Sequence, residues 1–298
     1  MRIVIKSDQF IRDGKILRLA GNHTWNTVQR VAGEKISIDK LTGNFTRLWT
    51  IETTGIDFSK SRWGSATAGV AKVENVPWNK DGSLNKGFYK ALEGAVKKAD
   101  KRDMITGVVL FEGTFQQYSD YSKGWDNHPF NGLGPKAPEF VHTKGKWNKY
   151  QRAHVREVVN RLEGYDNVIY EVGNELHRNS VGWFQGKVVQ WIKKWTDKPV
   201  GVSYAQGMKA SAGRSQDWLT KQGADWIAPA GAAKIAGFKG PQVLDTDHAW
   251  PLQSNVGALR SAWAQGRALW LMDGFNGTML RNQESLAGDR AFIDSVAI

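Results

Sequence analysis

The sequence contains no cysteine among its 298 residues. Disulfides and thiolate metal sites are therefore excluded, although zero cysteine suits exported and cytosolic chains alike. No run of ~18 apolar residues occurs, so no segment is expected to span a membrane. The N-terminus, MRIVIKSDQFIRDGK, alternates polar and apolar residues and lacks the apolar h-region of a signal peptide. Either export is not signal-driven, or a leader has already been removed from this chain. There is no fixed-period repeat, no low-complexity tract and no composition break that would mark a linker. One domain over residues 1–298 is the expectation.

The balance of charge is basic, with 41 Lys and Arg against 29 Asp and Glu and a net charge of +12. Such a balance suits nucleic acid, an anionic polymer or an anionic surface. Placement matters more than size. Lys86, Lys90, Lys97, Lys98 and Lys101 fall in one segment that reads as an outer helix, and Lys187, Lys193 and Lys194 in another. A solvated helix face accounts for them, and no nucleic-acid motif accompanies them. Neither nucleic acid nor membrane is expected as a partner. The 14 tryptophans are many for this length. Most belong to core or rim packing, but indole faces also stack on the apolar C–H faces of sugar rings, which raises a carbohydrate partner.

Short apolar runs alternate with helical patterns along the chain. After a hairpin pattern (IVIKSDQFI, a turn at Arg12-Asp13-Gly14-Lys15, then ILRLA) the runs are ILRLA (16–20), FTRLW (45–49), ITGVVLF (105–111), NVIYEV (167–172), PVGVSY (199–204), ADWIAP (224–229), QVLDTD (242–247) and ALWLMD (268–273). Continuous apolar strands, rather than alternating ones, indicate a parallel sheet covered by helices. Helical stripes lie between them: Phe88, Leu92, Ala95, Val96 and Ala99 after Ser83 as N-cap; Val155, Val158, Val159 and Leu162; Phe184, Val188, Trp191, Ile192 and Trp195; Val256, Leu259, Ala262 and Trp263. Eight β and α units in alternation predict a single (β/α)8 TIM barrel with an N-terminal β-hairpin, typically ~250 residues. An open doubly wound sheet is the competitor, and no Gly-rich phosphate loop follows the first strand. The chain stops at AFIDSVAI, where the last helix is expected to begin, so that helix reads as short.

Active sites of such barrels form at the carboxyl ends of the strands. There the sequence places Asn22, His23, Trp25, Arg47, Trp49, Glu112, Glu171, Asn174, Glu175, Tyr204, Asp245, Asp247, His248, Trp250 and Asp273. Buried carboxylates are costly unless paired or hydrogen-bonded, so several at one end of a core mark a site or a structural ion pair with Arg47 as its cation. Alternation points Glu171, Gly173 and Glu175 inward from the fourth strand, with Glu175 at the mouth. On the seventh strand Asp245 and Asp247 share a face, with Asp247 nearer the mouth. Two carboxylates across a sugar-sized cleft are the minimum apparatus for glycosidic cleavage. One protonates the leaving oxygen, and the other attacks the anomeric carbon or activates water.

The stretch NVIYEVGNEL resembles the strand-four signature of the clan A glycoside hydrolases, in which an Asn-Glu pair ends the strand. The resemblance implies that Glu175 is the acid/base, that Asn174 binds the sugar 2-hydroxyl, and that Arg47, in FTRLW, is the strand-two arginine that keeps the nucleophile ionised. GNHTWN, FTRLWT, VLDTDHAW and LWLMDGF are similar to a loosely characterised bacterial branch of cellulase-like hydrolases. The clan has a glutamate nucleophile at the end of strand seven, whereas this chain has Asp245 and Asp247. Asp247 is the favoured nucleophile and Asp245 the next candidate; Glu112 and Asp273 follow if strand seven only binds. Retention needs carboxylates ~5–5.5 Å apart and inversion ~6.5–9.5 Å.

His23, Trp25, Glu112, Tyr204, His248, Trp250 and Asp273 are read as further sugar-binding residues. A metal is not expected, because no HxH or HExxH spacing occurs, and no cofactor motif is present. The long segments 50–83 and 112–146 read as substrate walls, the second carrying Phe115, Tyr118, Tyr121, Trp125, His128 and Phe130. Three functions fit: a glycosidase acting on a poly- or oligosaccharide, a glycan-binding barrel without turnover, and a metal-dependent barrel hydrolase.

Overall fold

The computed structural model describes residues 2–31, 35–57, 70–113, 124–133, 145, 147–176, 181–203, 217–229, 234–245, 256–272 and 287–297. The chain opens with a three-stranded antiparallel sheet, β1 (Val4–Lys6), β2 (Gln9–Arg12) and β3 (Lys15–Leu17). Between β2 and β3, Asp13 and Gly14 take φ of 55° and 74°. Two successive left-handed residues are what a tight hairpin turn needs if the strands are to keep their twist.

The chain continues through β4 (Ala20–His23), β5 (Phe45–Leu48), an antiparallel pair β6 (Gly55–Asp57) and β7 (Val70–Lys72), and then β8 (Ile105–Glu112), β9 (Val168–Asn174), β10 (Val200–Ser203), β11 (Trp226–Ala228), β12 (Val243–Asp245) and β13 (Ala268–Met272). Helices α1 (Lys86–Asp100), α2 (Asn148–Leu162), α3 (Val181–Lys193), α4 (Val256–Ala264) and α5 (Ala287–Val296) lie between and after them. No helix among the described residues is long and apolar enough to cross a membrane.

The strands form two parallel arcs, β5-β8-β9-β10-β11 and β12-β13-β4. At one seam Ile227 bridges Gln242, and its N–H donates to the Pro241 carbonyl at 3.1 Å. At the other seam Asn44 N–H donates to the Ala20 carbonyl at 2.9 Å and the Thr46 hydroxyl to the Asn22 carbonyl at 3.1 Å. Among the described residues the strand order is that of a (β/α)8 fold, but the ladder is broken at both seams. β4 comes so close to β5 that a Cβ on Gly21 would lie 1.7 Å from the Phe45 carbonyl oxygen.

Three sequence expectations shift. The first strand of the parallel arcs is Ala20–His23, not residues 16–20. Ile16 is 57% exposed and belongs to the antiparallel sheet, whereas AGNH carries too little apolar pattern to announce a strand. The N-cap of α1 is Asn85, whose side chain accepts from Gly87 N–H at 3.0 Å; the Ser83 hydroxyl donates instead to Asp81 at 2.6 Å. The last helix begins at Ala287, ahead of AFIDSVAI.

Apolar stripes fix the wall helices. α1 buries Phe88, Leu92, Val96 and Ala99, and α2 buries Val155, Val158, Val159 and Leu162. At the amino ends of the strands, Phe45, Ile105, Ile169, Trp226, Val243 and Trp270 make a floor, joined by Ile3, Phe10 and Leu19 from the N-terminal segment. Trp270 stacks on Phe45 at 4.4 Å and meets Trp226 edge-on at 5.4 Å. Glycines make the room. A Cβ at Gly107 would stand 2.4 Å from Trp270, and one at Gly201 would stand 2.1 Å from Trp226.

On α2, His154 donates from Nε2 to the Leu110 carbonyl at 2.9 Å and accepts at Nδ1 from the Tyr89 hydroxyl at 3.0 Å. That neutral tautomer ties the wall helices to β8. Burial holds the imidazole pKa down to about 4.

Two outcomes are expected. Gly201→Ala overpacks the floor and costs about 2 kcal/mol, read as a lower urea midpoint at unchanged slope. For His154, the unfolded chain takes up a proton below pH ~6.5 while the folded chain resists until about 4, so this contribution is whole above pH 6.5 and declines through that window. The stability difference between wild type and His154→Asn should shrink by about 3 kcal/mol from pH 7 to pH 4.

Candidate active site

One guanidinium organises the middle of the fold. Arg47, inward-facing on β5, donates from Nε to Glu171 Oε2 at 2.7 Å and again to the same carboxylate from Nη2. It donates from Nη1 to Asp245 Oδ2 at 2.6 Å and from Nη2 to Asn174 Oδ1 at 3.1 Å. Arg47, Glu171 and Asp245 side chains are all wholly buried. A single cation thus joins β5, β9 and β12, across both arcs. Removing one partner of such a pair leaves a buried charge uncompensated, at a cost of roughly 3–5 kcal/mol. The rings of Trp49 and Trp270 lie 5.1 and 5.4 Å from the guanidinium carbon, near enough for cation–π attraction.

His23, on β4, completes this polar layer. Its Nε2 lies 3.5 Å from Asp245 Oδ1, and its ring lies 6.0 Å from that of Trp49. Desolvation lowers the His23 pKa against the opposing pull of Asp245. Two carboxylates, Glu171 and Asp245, thus face one guanidinium.

Above it, β9 ends at Asn174 and Glu175 follows. Glu175 is 9% exposed and takes φ of 44°, the left-handed region that a glutamate rarely occupies. The chain turns back sharply here. The Leu176 side chain folds over Gly173, where a Cβ would lie 2.8 Å away. Strain of this kind persists only where the surroundings impose it, and it concentrates at functional positions.

Beside Glu175, Glu112 ends β8 in register with Asn174, and Gly113 N–H donates to the Asn174 carbonyl at 3.0 Å. The Glu112 N–H donates to Glu52 Oε2 at 2.9 Å. Glu52 Oε1 lies 3.9 Å from His128 Nε2, both side chains being wholly buried. His128 Nδ1 accepts from Phe130 N–H at 3.0 Å, and its ring stacks on Trp125 at 5.2 Å. Glu52 escaped sequence analysis because it follows β5 in a segment with no periodicity. His128 was read only as a wall aromatic.

Of the sequence candidates, Arg47, Asn174, Asp245 and His23 meet in one layer, with Glu112 and Glu175 at the ends of adjacent strands. Trp25 is buried in an apolar cluster with Val31, Trp49 and Ile51. Asp247, Tyr204, His248, Trp250 and Asp273 lie outside the described residues, as do Phe115, Tyr118 and Tyr121. Among the described residues no three His, Asp or Glu side chains converge as a metal site.

Glycine tolerates the left-handed backbone and alanine does not. Glu175→Gly should therefore be about 1 kcal/mol more stable than Glu175→Ala in urea denaturation. Equal stabilities would show that position 175 holds no backbone strain.

No protein-family model matches the sequence, and no curated protein sequence does. Solved structures do resemble it. The endo-1,4-β-mannanase of Rhizomucor miehei superposes with a TM-score of 0.64 at 12% identity, over 100% of this chain and 98% of that one. The β-1,4-D-mannanase of Cryptopygus antarcticus gives 0.60 at 9% identity, over 99% and 94%. The β-mannanase of the blue mussel Mytilus edulis gives 0.59 at 12%, over 98% and 95%. At such identities the likeness is one of architecture, and it extends along the whole chain: this protein has the fold of the clan A glycoside hydrolases.

Proposed function

We propose that this chain is a glycoside hydrolase acting on a poly- or oligosaccharide, with Glu175 as the acid/base and Asp247 as the nucleophile of a retaining reaction. The observation that carries the reading is Glu175 itself. It follows the end of β9 on a left-handed backbone, directly after an asparagine anchored to buried Arg47. In this reading the two arcs close into one barrel whose mouth is the cleft. Glu175 gives its proton to the glycosidic oxygen as Asp247 attacks the anomeric carbon, and then takes a proton from the water that releases the sugar. Asn174 holds the 2-hydroxyl, and Glu112 lines the cleft beside it. Similar solved structures are named as β-1,4-mannanases, so β-1,4-mannan heads the substrate panel.

The test is Glu175→Gln, which keeps shape and removes the proton. Hydrolysis of the best glycan on the panel should fall at least about 100-fold, with the folded near-ultraviolet spectrum unchanged. Undiminished turnover would refute the role of Glu175. Glycan binding by a wild type that turns over nothing would instead establish a binding barrel.

A further inference from the structure

We propose that Trp183 is a sugar-binding platform on the leaving-group side of the cleft, where it takes a pyranose ring of the glycan beyond the bond that is cut. The assignment rests on the hydrolase reading above and deepens it. Trp183 stands in the first turn of α3 and is 41% exposed, whereas the other described tryptophans are buried or half-buried. Single exposed apolar side chains are ordinary on a protein surface. What sets this one apart is its place. α3 follows β9 and runs back along the wall, so its first turn lies at the carboxyl ends of the strands, the end that carries Glu175. Two buried neighbours pin that turn. The Phe184 ring meets Phe111, the residue before Glu112 on β8, edge-on at 5.1 Å. Gln185 donates from Nε2 to the carbonyl of Ser203, the last residue of β10, at 3.3 Å.

Side chains of a helix lean toward its amino end. Here that end is the rim, so the indole leans toward the mouth and not down the wall. The rest of its stripe, at helical spacing, is Lys187, Gln190 and Lys194, polar as a solvated helix face requires. Folding alone would be served as well by a polar residue at the head of that stripe. An indole there offers a flat, electron-rich plane, which fits the C–H face of a sugar ring. The side of the cleft follows from the chemistry. In a retaining displacement the attacking carboxylate and the leaving oxygen lie on opposite sides of the anomeric carbon. In the reading above the attack comes from Asp247, two residues beyond β12, and the proton from Glu175, next after β9. The leaving chain then lies on the β9 side, and α3, with Trp183 in its first turn, is the next described element past Glu175 on that side.

The experiment has a protection arm and a kinetic arm. The probe is the glycan of the panel that calorimetry shows to bind, with β-1,4-mannohexaose tried first. In Glu175→Gln, N-bromosuccinimide should oxidise Trp183 ahead of the buried tryptophans, and a saturating probe should suppress that oxidation, read residue by residue by mass spectrometry. Oxidation of Trp183 that continues undiminished at saturation would overturn the proposal. In the kinetic arm, Trp183→Ala should lower kcat/KM on the hexamer about 10-fold, through KM and at an unchanged urea midpoint. The loss should be smaller on the tetramer, and Trp183→Phe, which keeps an aromatic face, should recover most of it. No loss, or equal losses at both lengths, would also overturn the platform. Protection of Trp183 in a chain whose wild type cuts nothing would sink the hydrolase reading and keep the glycan-binding indole. Turnover without protection would do the reverse, and a chain that binds no glycan would end both.

Discussion

A guanidinium with no access to water is the constraint around which this molecule is arranged. Arg47 cannot be buried alone, because desolvating an unpaired charge costs more than a domain's whole stability margin. It is accommodated by two carboxylates and an amide from β9 and β12. Those strands belong to different hydrogen-bonded arcs, which meet elsewhere through a handful of backbone bonds. The ion cluster therefore does at the centre what the ladder does not do at the seams: it specifies how the two arcs face one another. Polar clusters of this kind add little net stability over apolar packing, yet losing one partner is costly.

The layers above and below follow from that one. Beneath it, two tryptophans fill the interior of the floor, and two glycines on β8 and β10 yield the space. Above it, Asn174 is tied down by Arg47 while Glu175, the next residue, is forced into a left-handed turn. A rigid anchor next to a strained residue is a way of holding a carboxylate where a relaxed strand would not place it. Glu52 and His128 brace the neighbouring strand end through the backbone of Glu112.

Much of this was legible in the sequence, for reasons that differ by element. β8 and β9 were readable because strands covered on both faces are apolar throughout, and ITGVVLF and NVIYEV admit little else. Arg47, Asn174 and Asp245 were readable because polar residues interrupting such runs need partners. β4 was not, since Ala-Gly-Asn-His owes its strand to pairing with the remote β13, and its glycine to close approach to Phe45, which no local pattern records. The cap of α1 was misplaced by two residues because Ser83 and Asn85 are both good caps, and the choice depends on Asp81 taking the serine hydroxyl. Glu52 was invisible because its partners, Glu112 and His128, are distant in sequence.

The pairing of β4 with β13 carries a consequence for how the chain comes into being. Residues 20–23 hydrogen-bond with residues 269–272, and the floor beneath them is shared by Ile3 and Trp270. A growing polypeptide leaving the ribosome would hold this strand without a partner on that side until residues 269–272 had been made. Contacts so remote along the chain form late and slowly, so the amino-terminal segment waits with an exposed edge, a state in which unpaired strands are prone to the wrong partner. The antiparallel sheet of residues 4–17 draws its backbone pairings from within itself. Those hydrogen bonds can be made before residues 269–272 exist, whereas the packing of Phe10 on the floor beside Trp270 cannot.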